Sequence, residues 1–186
     1  MLNREGIIIN GKKVLRIMRK LRLKAIYPGP NTSKRNLVDQ VKPYLLEGLK
    51  ITRPNQVWQI DITYLRTEKG FVCLTAFIDV YTRLVIDWSV SNDLSSYSCT
   101  SLLDRAILTE KPEIINSDQG SQFTSSDWLE LLEEKGISVS MTGKGRSNDN
   151  SYIERFWRSL KYEGIYLHNL RSVKNLKQYL PKLIDW

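Results

Sequence analysis

The chain has few residues that could cross-link it or bind a soft metal. Its 186 residues include two cysteines, Cys73 and Cys99, and one histidine, His168. The two cysteines lack both the spacing of zinc ligands and the density of a disulfide framework. We therefore expect both to be reduced thiols in the core, and a single histidine cannot make a zinc site.

Long apolar runs are also missing. No run approaches the roughly 18 residues of a transmembrane helix, and no signal-peptide pattern opens the chain. We also find no internal repeat and no low-complexity tract. The length allows one full domain core and a smaller appendage. These features predict a soluble, cytoplasmic protein with no membrane partner.

Acidic residues are scarce in the first third of the chain. Residues 1–56 carry 13 Lys or Arg against 3 Asp or Glu, a net charge of +10, whereas residues 57–186 carry 15 against 17, a net charge of −2. A basic arm on a nearly neutral body is typical of nucleic-acid enzymes, because phosphate contacts give affinity without sequence specificity. The alternative is a solvated arm that has no partner.

A helix is predicted inside this arm. Val14, Ile17, Met18 and Leu21 recur at helical spacing, and Asn10 is a plausible start. Basic side chains surround that stripe and are candidates for phosphate contacts: Lys12, Lys13, Arg16, Arg19, Lys20, Arg22 and Lys24. The break at residues 28–30 ends this helix, so residues 28–52 are predicted to be a basic linker with a short helical piece at 36–47.

The remainder has the pattern of an α/β domain. We predict strands at residues 57–66, 70–80, 83–91, 113–117 and 137–141, and helices at 95–109, 125–135, 150–165 and 172–185. Short turns make the first three strands antiparallel neighbours, and the later strands, which follow helical crossovers, should run parallel to the first. The result is a mixed five-stranded sheet flanked by helices.

Three acids stand in unusual surroundings. Asp61 lies inside the apolar run VWQIDITYL, Asp118 ends EIINSD, and Glu154 follows after 35 intervening residues. An ionised group in an apolar strand needs a cation, and three carboxylates would make that cation a divalent metal. Alternatively, Asp61 is a partly exposed edge-strand residue and Glu154 an ordinary surface acid. Asp79, Asp127 and Asp149 have simpler interpretations as strand-end or helix-start residues.

Four segments, in order, resemble the signature of integrase-core (DDE-type) transposases of bacterial insertion sequences, which are relatives of retroviral integrases. They are WQIDITYL, FIDVYTRLVIDW, NSDQGSQF and DNSYIERFWRSLKYE. The resemblance covers residues 53–186 and includes the family's D, D, 35, E spacing. It implies an RNase-H-like catalytic core, and residues 1–27 resemble a partial helix-turn-helix segment that precedes it.

What the resemblance implies is DNA cleavage and strand transfer at Asp61, Asp118 and Glu154. Carboxylate oxygens are the ligands that Mg²⁺ prefers, and three acids with substrate suffice for two ions, which Mn²⁺ could replace. Such chemistry needs no covalent enzyme intermediate. The serines and tyrosines of this chain carry no arginine cluster of the kind that marks the recombinases with a Ser or Tyr nucleophile.

Further candidates for DNA contacts surround these acids. Arg158 and Lys161 follow Glu154 on the same helical face, and Lys144 and Arg146 lie in the glycine-containing segment that precedes the helix. The alternative for Arg158 and Lys161 is intrahelical pairing with Glu154 and Glu163. Phe156, Trp157 and Leu160 are better interpreted as core residues.

Three functions remain open at this stage. The chain could be an active transposase, a nuclease of the same fold such as a ribonuclease H or junction resolvase, or a truncated DNA-binding remnant that does not transpose. The remnant is considered because both ends look short beside the family, with a C-terminally truncated core. The resemblance also implies a homo-oligomer assembled on element ends and target DNA, an upstream-frame partner that recognises those ends, and association with the bacterial nucleoid.

Overall fold

A computed structural model describes residues 10–21, 23, 41–143, 150–168 and 170–184. The chain forms two compact units, Met1–Leu37 and Val38–Trp186. In the first unit, helix α1 (Gly11–Lys20) begins after Asn10, whose side chain accepts a hydrogen bond of 2.9 Å from the backbone N–H of Lys12. This satisfies an otherwise free donor of the first turn and confirms the predicted start.

A five-stranded sheet is the centre of the second unit. Its strands are β1 (Val57–Thr67), β2 (Gly70–Asp79), β3 (Val85–Ser91), β4 (Ile114–Ser117) and β5 (Ser138–Met141). They are ordered β3-β2-β1-β4-β5. The first three strands are antiparallel neighbours, whereas β4 runs parallel to β1 and β5 parallel to β4. The predicted mixed sheet is confirmed.

Helices cover both faces of the sheet. Helices α2 (Ser96–Ala106) and α3 (Ser126–Glu134) pack on one face around Trp58, Phe77 and Trp128, and the ring centroids of Trp58 and Phe77 lie 5.8 Å apart. Helices α4 (Ser151–Ser159) and α5 (Val173–Ile184) pack on the other face. The apolar half of each helix is therefore buried against the sheet, which gives a three-layer α/β/α domain.

The helix predicted at 150–165 has two parts. After α4, the segment Leu160–Ile165 widens to a π-helix. Gly164 lies in this segment, and a Cβ placed there would be 2.9 Å from Cδ1 of Leu183 in α5. The absence of a side chain at Gly164 lets the wider turn approach α5 closely.

The helical piece predicted at 36–47 is wrong for residues 41–47, which contain no helix; residues 36–40 lie outside the described part of the chain. Instead, Leu45 N–H donates to Ser140 Oγ at 3.0 Å, and Met141 N–H donates to the carbonyl of Pro43 at 3.3 Å. These bonds cover the outer edge of β5. Pro43 also disfavours helical backbone at the residue before it.

Both cysteines are free and buried, as predicted. In the part of the chain that the structure describes, no helix combines the length and the apolar composition that crossing a bilayer requires.

Candidate active site

The strand register places Asp61 and Asp118 on the same face of the sheet, at the neighbouring strands β1 and β4. Gln59 of β1 lies opposite Asn116 of β4 in the parallel pair. Side chains two residues further along each strand project to the same face. Asp61 therefore lies in the middle of β1 and Asp118 directly after the end of β4, as the sequence predicted.

Asp61 is the most perturbed acid of the group. Burial in the middle of the sheet raises the pKa of its carboxyl from 3.8 to about 6, and the negative charges of Asp118 and Glu154 add to the rise. Two hydrogen bonds oppose this effect, one from the backbone N–H of Ile62 and one of 2.9 Å from Trp157 Nε1 to Asp61 Oδ2. Both neighbouring acids thus act electrostatically on a carboxyl group that is already short of solvent.

Asp118 is exposed and held by the turn that follows it. The backbone N–H of Gly120 donates to Asp118 Oδ1 at 2.8 Å. A Cβ at Gly120 would lie 2.9 Å from the same oxygen and would overlap the side-chain amide of Gln122. An alanine here would therefore displace the Gln122 side chain and press on the carboxylate of Asp118.

Glu154 reaches the site from α4. The side-chain oxygen of Gln59 in β1 accepts a 3.3 Å hydrogen bond from the backbone N–H of Ile153, the residue before Glu154. Ile153 is fully buried, whereas Glu154 is exposed. In addition, the guanidinium of Arg83, from the turn after β2, lies 3.2 Å above the ring of Tyr152. These contacts fix the first turn of α4 over the centre of the sheet.

Lys161 belongs to the same site, because Asp61 is the charged group that acts on it. Partial burial lowers the pKa of the Lys161 ammonium, and the negative charge of Asp61 opposes that fall. Within the described residues, neither Lys161 nor Arg158 forms an ion pair with Glu154 or Glu163. The alternative of simple intrahelical pairing is therefore not observed.

The donor set suits Mg²⁺ chemically. Three carboxylates supply hard oxygen ligands, and their mutual repulsion at Asp61 is what a divalent cation would relieve. The described residues nevertheless contain no group of three or more His, Cys, Asp or Glu side chains close enough to hold an ion. In the structure, Trp157 donates a hydrogen bond to Asp61 and the backbone N–H of Gly120 donates one to Asp118.

The other predicted DNA contacts are distributed differently. Five are exposed on α1, in the separate first unit: Lys12, Lys13, Arg16, Arg19 and Lys20. Arg158 is exposed on α4, and Lys144 and Arg146 lie outside the described residues.

Sequence reasoning missed three residues that position the acids. Gln59 and Trp157 contact groups 94 and 96 residues away in the chain, so no local pattern reveals them. Trp157 was predicted to be a core residue; it is buried, and it also donates to Asp61. The third is Gly120, whose backbone N–H donates to Asp118 from the turn that follows β4.

Comparison with known proteins gives a consistent result. The integrase core domain family matches residues 51–147 and, with a second family of the same description, residues 135–186. The transposase of insertion sequence element IS904 from Lactococcus lactis is 33% identical over 197 residues, which cover 99% of this chain and 75% of that protein. Transposase InsF of insertion sequence IS3A from Escherichia coli is 35% identical over 171 residues, covering 89% of this chain and 59% of that protein.

A solved structure shares the fold. The catalytic core domain of HTLV-2 integrase, determined in complex with magnesium in a trimeric form, aligns with a TM-score of 0.60 and 25% identity. The alignment covers 73% of this chain and 86% of that domain.

Proposed function

The chain belongs to the integrase-core (DDE-type) family of insertion-sequence transposases, and on that premise we propose that it cuts and joins DNA with Asp61, Asp118 and Glu154 as its catalytic acids. The observation that carries the proposal is the state of Asp61. A half-buried carboxyl group with a pKa near 6, subject to two further negative charges, is costly to the fold. Such an arrangement is typical of a site that functions with a cation.

The three acids would hold Mg²⁺, with Mn²⁺ as a substitute. Two bound ions would supply an activated water or 3′ hydroxyl and would stabilise the departing oxygen of the phosphodiester. The chain's own residues do the positioning. Trp157 orients Asp61 through its Nε1–H, and Gly120 orients Asp118 through its backbone N–H.

Positive groups complete the proposed site. Lys161, which interacts with Asp61, and the exposed Arg158 would bind the phosphates that flank the scissile bond. Residues 1–27, with the five basic side chains of α1, would add phosphate contacts that do not depend on sequence. Residues 28–52 would connect this segment to the catalytic core at residues 53–186.

The proposed partners are the two ends of a mobile element and its target DNA. Joining two ends calls for at least a dimer on DNA, and recognition of the end sequences would come from an upstream-frame partner. These proposals are supported by the family and by the basic arm.

Metal-dependent activity on a DNA end tests the proposal. A labelled duplex end is incubated with a plasmid target and Mg²⁺. We expect Asp61→Asn, Asp118→Asn and Glu154→Gln each to lower both cleavage and joining at least about 100-fold, because each removes a metal ligand. Glu130→Gln is the matched control, since it neutralises an exposed acid on α3.

The three functions give different results in this assay. Cleavage without joining would indicate a nuclease of the same fold. DNA binding without either reaction would indicate a remnant. Full activity in all three variants would show that these acids are not the catalytic group.

A further inference from the structure

Two tyrosines lie exposed just beyond the proposed catalytic helix. Tyr162 and Tyr166 are 65% and 53% exposed, and their ring centroids lie 5.5 Å apart with the ring planes at 88°. The core side of the same π-helical segment is filled by Leu160 and Ile165. The rings of Tyr162 and Tyr166 are therefore not part of the hydrophobic core.

The tyrosine pair separates two grooves. One has a volume of about 1090 Å³ and is lined by Glu154, Arg155, Arg158 and Tyr162, among others; we call it the α4 groove. The other, of about 510 Å³, contains Arg66, Tyr166 and Arg171 at the β1–β2 hairpin. The α4 groove begins at a proposed catalytic acid, and Tyr162 follows that acid by eight residues, about 12 Å along a helix.

The charge of the α4 groove is nearly balanced. Its lining includes two arginines, Arg155 and Arg158, and two acids, Glu154 and Glu163, and no ion pair forms between these side chains within the described part of the chain. A plain phosphate site would be strongly basic. The distinctive feature of this surface is therefore the aromatic pair, flanked by arginines that remain available to a ligand.

We propose that Tyr162 and Tyr166 form a stacking platform for unpaired bases of a DNA strand that passes through the α4 groove, with Arg155 and Arg158 binding its phosphates. The proposal rests on the proposed function and specifies its substrate, which is a DNA end with unpaired nucleotides next to the reacting phosphate. Only unpaired bases offer their faces to an aromatic ring, since bases inside a duplex are stacked on one another. At the duplex spacing of about 3.4 Å per nucleotide, about 12 Å corresponds to three or four nucleotides of one strand, which a tail of five nucleotides can span.

A second copy of the chain is the other occupant to consider, because tyrosine is common at protein interfaces. The α4 groove begins at the proposed catalytic acid Glu154, where the DNA strand that is cut or joined must lie. This position favours DNA as the ligand.

Binding measurements on matched DNA molecules test the platform. The full chain is titrated, in EDTA to prevent cleavage, with a blunt duplex, with the same duplex carrying five unpaired nucleotides, and with a tail of the same length made of abasic nucleotides. We expect Tyr162→Ala and Tyr166→Ala each to weaken binding of the tailed duplex about 5- to 100-fold. Binding of the blunt and abasic molecules should change less than about twofold.

Three controls isolate the stacking of the ring. Tyr162→Phe should keep the affinity for the tail, because the ring and not the hydroxyl group makes the contact. Tyr97→Ala removes a 77% exposed tyrosine on α2 and should have no effect. The slope of affinity against salt concentration should be the same for Tyr162→Ala and the wild type, because no charge is lost.

The results that would overturn the platform are equally definite. These are an equal loss on blunt and tailed duplexes, an equal loss on abasic tails, or no loss at all. A change of oligomeric state in Tyr162→Ala without DNA would assign the tyrosines to a protein interface instead. Circular dichroism melting checks that the variants fold. Because these measurements need no metal and no turnover, they can fail while the cleavage assay succeeds, or succeed while it fails.

Discussion

Asp61 is the single residue at which function and stability most clearly oppose each other. Because the pKa of Asp61 is raised to about 6 in the folded state, the protonated carboxyl favours folding. This contribution to the free energy of unfolding is complete below pH 3.8 and is lost as the pH rises through about 6. The ionised group then costs the folded state about 3 kcal/mol. In EDTA at pH 8, Asp61→Asn should therefore be more stable than the wild type by about 1 to 3 kcal/mol, whereas at pH 4 the gain should vanish. Urea denaturation at both pH values measures it.

The substituted amide keeps an oxygen that can accept the Trp157 hydrogen bond, so the shape of the site is preserved. Glu130→Gln, an exposed acid, should change stability little at either pH. If Asp61→Asn were equally stabilising at pH 4 and pH 8, ionisation would not be the cause of the cost.

Gly120 is a second residue whose role can be separated from stability. A methyl group there would press on Asp118 Oδ1 and on the Gln122 side chain. Gly120→Ala should lower cleavage about 10-fold or more and should raise the Mg²⁺ concentration needed for half-maximal activity, because groups that orient metal ligands act on both. Gly11→Ala, where an added Cβ has nothing within 4 Å, is the control. An unchanged Mg²⁺ requirement would mean that Gly120 does not position Asp118.

The sequence reveals a site residue when its neighbours in the chain mark it, and it does not when the residue acts through a partner far away in the chain. Asp61, Asp118 and Glu154 are recognisable because each stands in a distinctive local segment. Trp157 and Gln59 act through hydrogen bonds between residues that are 96 and 94 positions apart in the chain. These bonds form only when α4 packs on the sheet.

At the scale of elements, local pattern predicts the sheet better than it predicts the helices. The hairpins and the parallel strands follow from turn lengths and apolar runs. The π-helical turn does not, because an apolar pattern does not reveal one wider turn at the end of an α-helix. The irregular segment at 41–47 is determined by its hydrogen bonds with β5.

Asp79 connects the start of β1 to the turn after β2, and its contribution to the free energy of unfolding can be measured. Asp79 ends β2 and is 1% exposed. Its carboxylate accepts hydrogen bonds from the backbone N–H of Asn55 at 2.5 Å and of Thr82 at 2.7 Å, one on each oxygen. In Asp79→Asn, the amide NH₂ replaces one of the two oxygens in either orientation, so one backbone N–H meets another donor and loses its acceptor. We expect a loss of about 2 to 3 kcal/mol in the free energy of unfolding.

Asp104→Asn is the matched control for this element-level prediction. It removes an exposed ion pair of 3.6 Å with Lys135, which should be worth less than about 1 kcal/mol. Similar urea midpoints for the two variants would mean that Asp79 does not hold the start of β1 to the turn after β2.

For the whole molecule, the excess positive charge and the five-stranded sheet lie in different parts of the chain. Residues 1–40 hold 10 Lys or Arg and 2 Asp or Glu, the entire excess of +8, so residues 41–186 have no net charge. Deleting residues 1–40 should therefore weaken non-specific DNA binding and flatten its salt dependence while leaving the core stable.

Deleting residues 1–52 should affect DNA binding about equally, but it also removes the hydrogen bonds of Pro43 and Leu45 with β5. That longer deletion should cost a further 2 to 4 kcal/mol or so in the free energy of unfolding. Salt-dependent DNA titration and urea denaturation of both deletions separate the two effects. Unaltered DNA binding after the first deletion would show that the arm does not contact DNA, and equal stability of the two would show that residues 41–52 are dispensable to the fold.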